Sequence, residues 1–215
     1  MPDDDDLGSD GDFESAFYLF TGVETRFGDL SGLGYAFTIP DEDVLRGGFL
    51  ELAYGGHFLN RSANRSLDRY RDTFNAQGTP LTITDDETSS WTGQIALAIH
   101  PAGTPDWLAP LYGGLSFTRA EITPKVRGTL VAPLPGLTVE GQVAHTMSYD
   151  SVDVFIGFRK IWDNGLFVDA RAGYSFELNN SVGAPSMPPG WNIPSPESSA
   201  EIDSLWARSS VGWAF

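Results

Sequence analysis

The chain contains no cysteine among its 215 residues. That excludes a disulfide framework and any thiolate metal site, and it fits a cytosolic protein and an undisulfided envelope protein equally. Basic residues are also scarce. Thirteen Lys plus Arg stand against 29 Asp plus Glu, a formal charge of −16 at pH 7, which repels phosphate backbones and argues against general nucleic-acid binding. No apolar run approaches the roughly 18 residues that a membrane helix needs; the longest candidates are short, such as IALAI at 95–99. No solenoid-type repeat is present. A basic segment followed by an apolar core is missing at the start, where Met1 precedes PDDDD. The expectation is an initiator Met placed on a mature chain whose targeting sequence has been removed.

Acidic residues crowd the first fourteen positions, with Asp3 to Asp6, Asp10, Asp12 and Glu14. Residues 1–12 are expected to form a solvated, flexible acidic leader, because the ligand spacing of a calcium loop is incomplete there. Residues 13–215 are expected to form one domain.

What the chain does have is alternation. In FESAFYLFTGVETRF, Phe17, Leu19, Val23 and Phe27 alternate with Tyr18, Phe20, Glu24 and Arg26. The same period of two, which marks strands with unlike faces, recurs in Leu33 to Ile39, Leu50 to Phe58, Ile95 to Ile99 and Leu111 to Phe117. It continues through Arg127 to Met147, Val152 to Phe158, Val168 to Phe176 and Leu205 to Phe215. Pro135-Gly136 marks a hairpin turn within Arg127 to Met147, and Asp163-Asn164-Gly165 marks another turn. The count is ten strands, with eight or twelve as alternatives. The short or Pro-rich links IPDEDVLRGG, PAGTPDW, PLPG and DNG follow even-numbered strands, and the longest links follow strands three and nine. Long connections therefore collect at one end of an all-β, antiparallel up-and-down meander.

Alternation alone does not say which face is inside. A soluble barrel turns its charges to water, whereas a membrane barrel encloses a polar lumen within an apolar belt. Three features favour the second. The polar rows mix charges and are rich in Gly, Ala and Ser, as a narrow interior of ion pairs requires; Glu24, Glu51, Arg127, Glu140, Arg159, Asp169, Arg171 and Arg208 are the candidate lumen network. Aromatics such as Tyr54, Phe58, Phe117, Tyr174, Phe176 and Trp213 sit near segment ends on the apolar rows, where interfacial girdles belong. Most segments also approach the roughly 9–11 residues that a tilted transmembrane strand needs.

The ending SLWARSSVGWAF resembles the terminal strand of bacterial outer-membrane β-barrels, with Trp213 and Phe215 at the expected aromatic positions. The resemblance implies a single transmembrane barrel in the bacterial outer membrane, with both termini and the short turns in the periplasm. It also implies that the membrane insertion machinery reads Trp213 and Phe215. The expected partners are outer-membrane lipid and lipopolysaccharide, with no cofactor and no metal.

In NRSANRSLDRYRDTF, Arg61, Arg65 and Arg69 recur every fourth residue, while Leu67, Tyr70 and Phe74 fall on another face of a short helix. That helix either contacts lipopolysaccharide phosphates through its arginines or folds over the barrel mouth. The three histidines, His57, His100 and His145, have no metal-ligand spacing. Asp85, Asp86 and Asp150 suit an outer rim, yet the Asp-x-His pairing of omptin-like proteases is absent. In AHTMSYD, His145 and Ser148 fall on opposite faces, which weakens a lipid A-modifying site. No catalytic residue is assigned.

The expected function is that of an integral barrel with a narrow or occluded lumen, serving a structural, adhesive or small-solute, porin-like role through outer loops 60–90 and 179–200. An outer-membrane hydrolase and a soluble ligand-binding barrel are the alternatives. A membrane barrel is expected to require detergent for solubility and to migrate faster unheated than boiled on a denaturing gel; a soluble barrel does neither.

Overall fold

The structure, a computed structural model, describes residues 14–25, 28–39, 48–60, 81–100, 110–131, 138–144, 146–183 and 204–215. For 57–60, 81–88, 124–131, 138–144 and 182 the backbone alone is described. Nine strands follow one another: β1 (Ser15–Glu24), β2 (Gly28–Ile39), β3 (Gly48–Asn60), β4 (Leu81–Ile99), β5 (Leu111–Val131), β6 (Thr138–Ala144), β7 (Met147–Ile161), β8 (Leu166–Val182) and β9 (Ser204–Ala214). They pair antiparallel in the order β4-β3-β2-β1-β9-β8-β7-β5, and β4 then pairs β5 to close the ring. At the seam, Ser15 and Phe215 exchange backbone hydrogen bonds of 3.1 and 2.8 Å.

The ring has eight staves, one of the alternative counts rather than the ten expected. β5 pairs β7 through Leu111–Ile122 and β6 through Lys125–Val131, so β6 and β7 run end to end along one edge of β5. Two runs read as separate strands are thus one long strand, β5, and two more share one interrupted stave. Pro124, which has no N–H to donate, falls at the gap between the two ladders. The two miscounts cancel for every later element. The turn at 162–165 therefore still lies at the end that holds both termini, but the link at 132–137 moves to the end of the long connections. Two loop limits change as well, since 81–90 belongs to β4 and 179–182 to β8.

The tight turn after β7 is set by chemistry. Gly165 has φ +83°, and a Cβ there would lie 2.4 Å from the Ala214 carbonyl oxygen, so a side chain is excluded twice over. Asn164 Oδ1 accepts from Leu166 N at 3.1 Å and steadies the reversal.

The two faces of the barrel are inverted relative to a soluble protein. Leu19, Leu52, Ile95, Leu115, Ile156 and Val211 all point outward and are exposed, whereas Glu51, Asp153, Asp169, Arg171 and Arg208 are buried inside. A soluble barrel does the reverse, so the soluble alternative is overturned: in water this continuous belt would be a severe aggregation liability. Along β8, Leu166 to Phe176 covers about 33 Å of strand, or about 25 Å along the axis at a tilt of about 40°, the height of a transmembrane apolar band. Tyr54, Phe117 and Phe176 are exposed toward the upper margin, and Phe37, Trp162, Trp213 and Phe215 toward the lower. Phe58 lies among the residues whose side chains are not described.

Above the mouth, the ladder does not stop. Leu81–Trp91 of β4 pairs Glu121–Leu130 of β5, which in turn pairs β6. A three-stranded sheet thus continues past the ring along the 7 residues of β6, roughly 23 Å of strand. Lys in place of Ile156, near mid-height on the lipid face, is expected to cost about 2–4 kcal/mol in reversible unfolding from vesicles. The same change at Phe37, near the lower interface, costs about 0–1 kcal/mol.

Candidate functional site: the sealed lumen

An eight-stranded ring is just wide enough for side chains to fill its interior, and the inward rows of this chain fill it in layers. Toward the termini lies an aromatic layer. Tyr18, Phe49, Tyr112, Phe155 and Phe167 are all buried and meet edge to face, as in Phe49–Tyr112 at 5.1 Å and Tyr18–Phe167 at 6.2 Å between centroids. Six inward aromatics stand directly opposite a glycine on the neighbouring strand: Tyr18 and Gly34, Phe20 and Gly32, Tyr112 and Gly157, Phe155 and Gly114, Phe167 and Gly212, Trp206 and Gly173. A Cβ on Gly34 would fall 2.0 Å from the Tyr18 ring, and one on Gly157 2.3 Å from the Tyr112 ring. Each glycine is the slot into which a large ring lies flat across the narrow bore.

The ionic layer sits among and above these rings. Arg171 on β8 and Arg208 on β9 are directly paired across the sheet, a like-charge juxtaposition that is unfavourable alone. Glu51, on β3 at the opposite wall, resolves it. Its Oε1 accepts from Arg171 Nη1 at 2.8 Å and from Arg208 Nη2 at 2.5 Å, and its Oε2 accepts from Arg171 Nη2 at 2.5 Å. Asp169 accepts from Arg171 Nε at 2.7 Å, Arg159 Nε at 2.9 Å and the Tyr112 hydroxyl at 2.5 Å. Arg159 also lies over the Phe49 ring, 3.8 Å from its centroid, so the aromatic layer supports the cations it encloses.

A second carboxylate centre lies higher. Asp153 is buried and accepts from Ser116 and Thr118 at 2.7 Å, Ser151 at 3.0 Å and Gln94 at 3.3 Å. Gln94 turns its carbonyl to Arg208 Nη1 at 2.8 Å and its amide to Asp153, which links the two centres. Three arginines are thus matched by three carboxylates. This balance is what burial demands, because an unpaired charge here would pay its desolvation in full.

The eight residues expected to form the lumen network divide. Glu51, Arg159, Asp169, Arg171 and Arg208 meet as described. The register sets Gly22 opposite Arg208 and Glu24 opposite Trp206; Glu24 accepts from Ser204 at 2.8 Å, and Arg208 pairs with Glu51. Arg127 and Glu140 lie in β5 and β6 beyond the ring, where Arg127 pairs in register with Asp85 and Gln142, and their side chains are outside the described residues. Asp153, Gln94 and Tyr112 were missed. Asp153 shares the inward row of β7 with Arg159, and Gln94 and Tyr112 alternate with the outward Ile95 and Leu111; that parity was the available signal.

The remaining candidates are scattered. Arg61, Arg65 and Arg69 lie outside the described residues, as do His145 and the side chain of His57. His100 is fixed by Nδ1 against the Leu111 carbonyl at 3.1 Å. Asp150 at the rim lies 3.5 Å from Arg119, and Ser148 hydrogen-bonds Ser181 at 2.7 Å. Among the described residues no group of His, Asp or Glu is arranged to hold a metal.

No family model and no curated protein matches the chain. Among solved structures it is similar to a major outer membrane protein from Thermus thermophilus, at 15% identity and TM-score 0.42 over 94% of this chain and 99% of the other. It is similar also to Acinetobacter baumannii CarO2, at 11% and 0.42 over 93% and 98%. A third likeness, at 12% and 0.40 over 94% and 98%, is to the N-terminal β-barrel domain of Pseudomonas aeruginosa OprF. The barrel's own faces, apolar outside and ionic inside, say what these strands are for. The chain is a transmembrane β-barrel.

Its stability depends on the charge balance of the lumen. Glu51→Gln leaves Arg171 and Arg208 facing each other with no counter-charge between them, and is expected to lower unfolding stability by about 3–5 kcal/mol. Adding Arg171→Met to that variant removes one stranded cation and is expected to recover part of the loss, as read from urea midpoints of the refolded barrel.

Proposed function

We propose that the protein is an integral, non-conducting barrel of a bacterial outer membrane, and that its structural or adhesive role is carried by the sheet raised above its mouth. The observation that carries this reading is the seal. Glu51 is 0% exposed, Tyr18 and Phe167 are 1% exposed and Arg171 is 4% exposed, which supports a lumen without a continuous aqueous path for a solute. A barrel closed in this way anchors what it carries instead of transporting.

What it carries is β4, β5 and β6 beyond the ring, together with the long connections 61–80 and 183–203 that leave the same end. Arg61, Arg65 and Arg69 fall in the first of these, where a contact with lipopolysaccharide phosphates would lie at the correct height. Trp213 and Phe215 point outward on the closing strand, which supports their reading as an insertion signal. The rim-hydrolase reading has less in its favour: Asp85 and Asp86 are in β4 well above the ring, and Asp150 faces Arg119.

Purified protein in planar bilayers is expected to give no stepwise conductance above baseline. Regular steps of porin size would overturn the anchor reading in favour of a small-solute channel.

A further inference from the structure

The polarity of the two faces exchanges where the edge of β5 passes from β7 to β6. Within the apolar band, Leu111, Leu115 and Phe117 face outward and are exposed, while Tyr112, Ser116 and Thr118 face the lumen and are buried. β5 carries no bulge of its own between Gly113 and Leu130; the one register shift in its ladder with β4 falls in β4, between Ile83 and Asp85. The period of two therefore carries the inward row up through Ala120 and Ile122 to Val126 and Leu130. In register, β4 adds Leu81 and Ile83 to that face, and β6 adds Val139 and Val143. The opposite face takes Lys125 and Arg127 together with Asp85, Glu87, Glu140 and Gln142. The raised sheet thus has a charged outer face and an apolar inner one, the reverse of the ring beneath it. The base of the inner face is already covered, since Ala120 and Ile122 are both 0% exposed and pack with Tyr149 and Met147. Left open to water, the apolar rows above them would be an aggregation liability.

Size and charge select what covers those rows. Three strands about 4.8 Å apart along the 7 residues of β6 present a face of roughly 330 Å², well below the area of about 800 Å² per partner in a stable protein–protein interface. A second copy or a foreign domain on this face alone would be weakly held. A segment of the same chain needs far less area, because its effective concentration is already high. Two long connections leave this end, 61–80 and 183–203. The second carries Pro185, Pro188, Pro189, Pro194 and Pro196, with three acids and no Lys or Arg. The first carries Leu67, Tyr70 and Phe74 at spacings of three and four, and its four arginines against two aspartates make it net basic. The mouth beside it is acidic, with Glu24, Asp86 and Glu177 on inward rows. This connection starts after Asn60 and ends at Leu81, in the last pair of the β4–β5 ladder. Twenty residues reach about 66 Å when extended, ample to cross the face between those ends. We propose that the inner face of the raised sheet is an intramolecular docking site for residues 61–80, with Leu67, Tyr70 and Phe74 as its apolar contacts. The charged outer face is then the surface left for a partner. The inference adds to the anchor reading of the raised sheet and does not depend on the seal.

The chain has no cysteine, so single cysteines report on each face in the full protein folded in detergent. Val126→Cys and Leu130→Cys place a thiol on the inner face, and Lys125→Cys and Thr129→Cys place one on the outer. Labelling rates are measured with a bulky, water-soluble maleimide, and the heat-modifiable shift on gels shows each barrel intact. The inner positions are expected to react about tenfold more slowly than the outer ones, as a docked state populated about 90% of the time requires. Leu67→Ser, Tyr70→Ser and Phe74→Ser together are expected to bring the inner rates to within about twofold of the outer ones and to leave the outer rates unchanged. Equal rates on both faces of the parent chain overturn the proposal. So does inner-face protection that survives the triple substitution, which would assign the cover to 183–203, and protection that falls on dilution, which would assign it to a second copy. Where one inner cysteine prevents folding, the other decides alone. Porin-sized conductance would instead overturn the seal, a separate failure that leaves the labelling pattern as it is.

Discussion

The interior is organised around one carboxylate, that of Glu51, held between the guanidinium groups of Arg171 and Arg208. The ring pairs those two arginines directly, and both are buried. Only an acid from the opposite wall can lie between them, and β3 is four staves from β8 around the ring. The other charges follow from this arrangement. Asp169 takes the remaining face of Arg171 and binds Arg159, while Gln94 carries the influence of Arg208 up to Asp153. With three cations against three anions, a low-dielectric lumen tolerates groups that singly would be expelled.

The aromatic layer serves the same end by another route. Large rings lie across the bore only where the neighbouring strand has no side chain, and the six ring–glycine pairs supply that room. The glycines of the inward rows thus contribute shape more than flexibility. Tyr112 joins the two layers, since its hydroxyl donates to Asp169 while its ring packs on Phe49 and Phe155. The filling of the interior is therefore a matter of packing and charge together.

Much of this was legible in the chain. Alternation of period two separates lipid-facing from lumen-facing rows residue by residue, and the placement of Arg within strands identified which row is enclosed. The strand count was less accessible. Whether Leu111–Phe117 and Arg127–Val131 are one strand or two depends on what lies beside residues 119–126, and a Pro within that stretch reads locally as a turn. It is strand because β4 pairs it throughout, a long-range fact with no local signature. The same holds for Glu24, which shares the parity of Arg208 but sits one step higher because of the β1–β9 register.

The sequence by itself therefore determined the class of the molecule: its period and its polarity pattern settle that strands form and which face turns to lipid, because those are properties of neighbouring residues. Tertiary structure alone decided the number of staves and the partner of each charge. Those depend on register and on which walls oppose one another across the bore, and a ring of strands brings together residues as distant in the chain as Glu51 and Arg208.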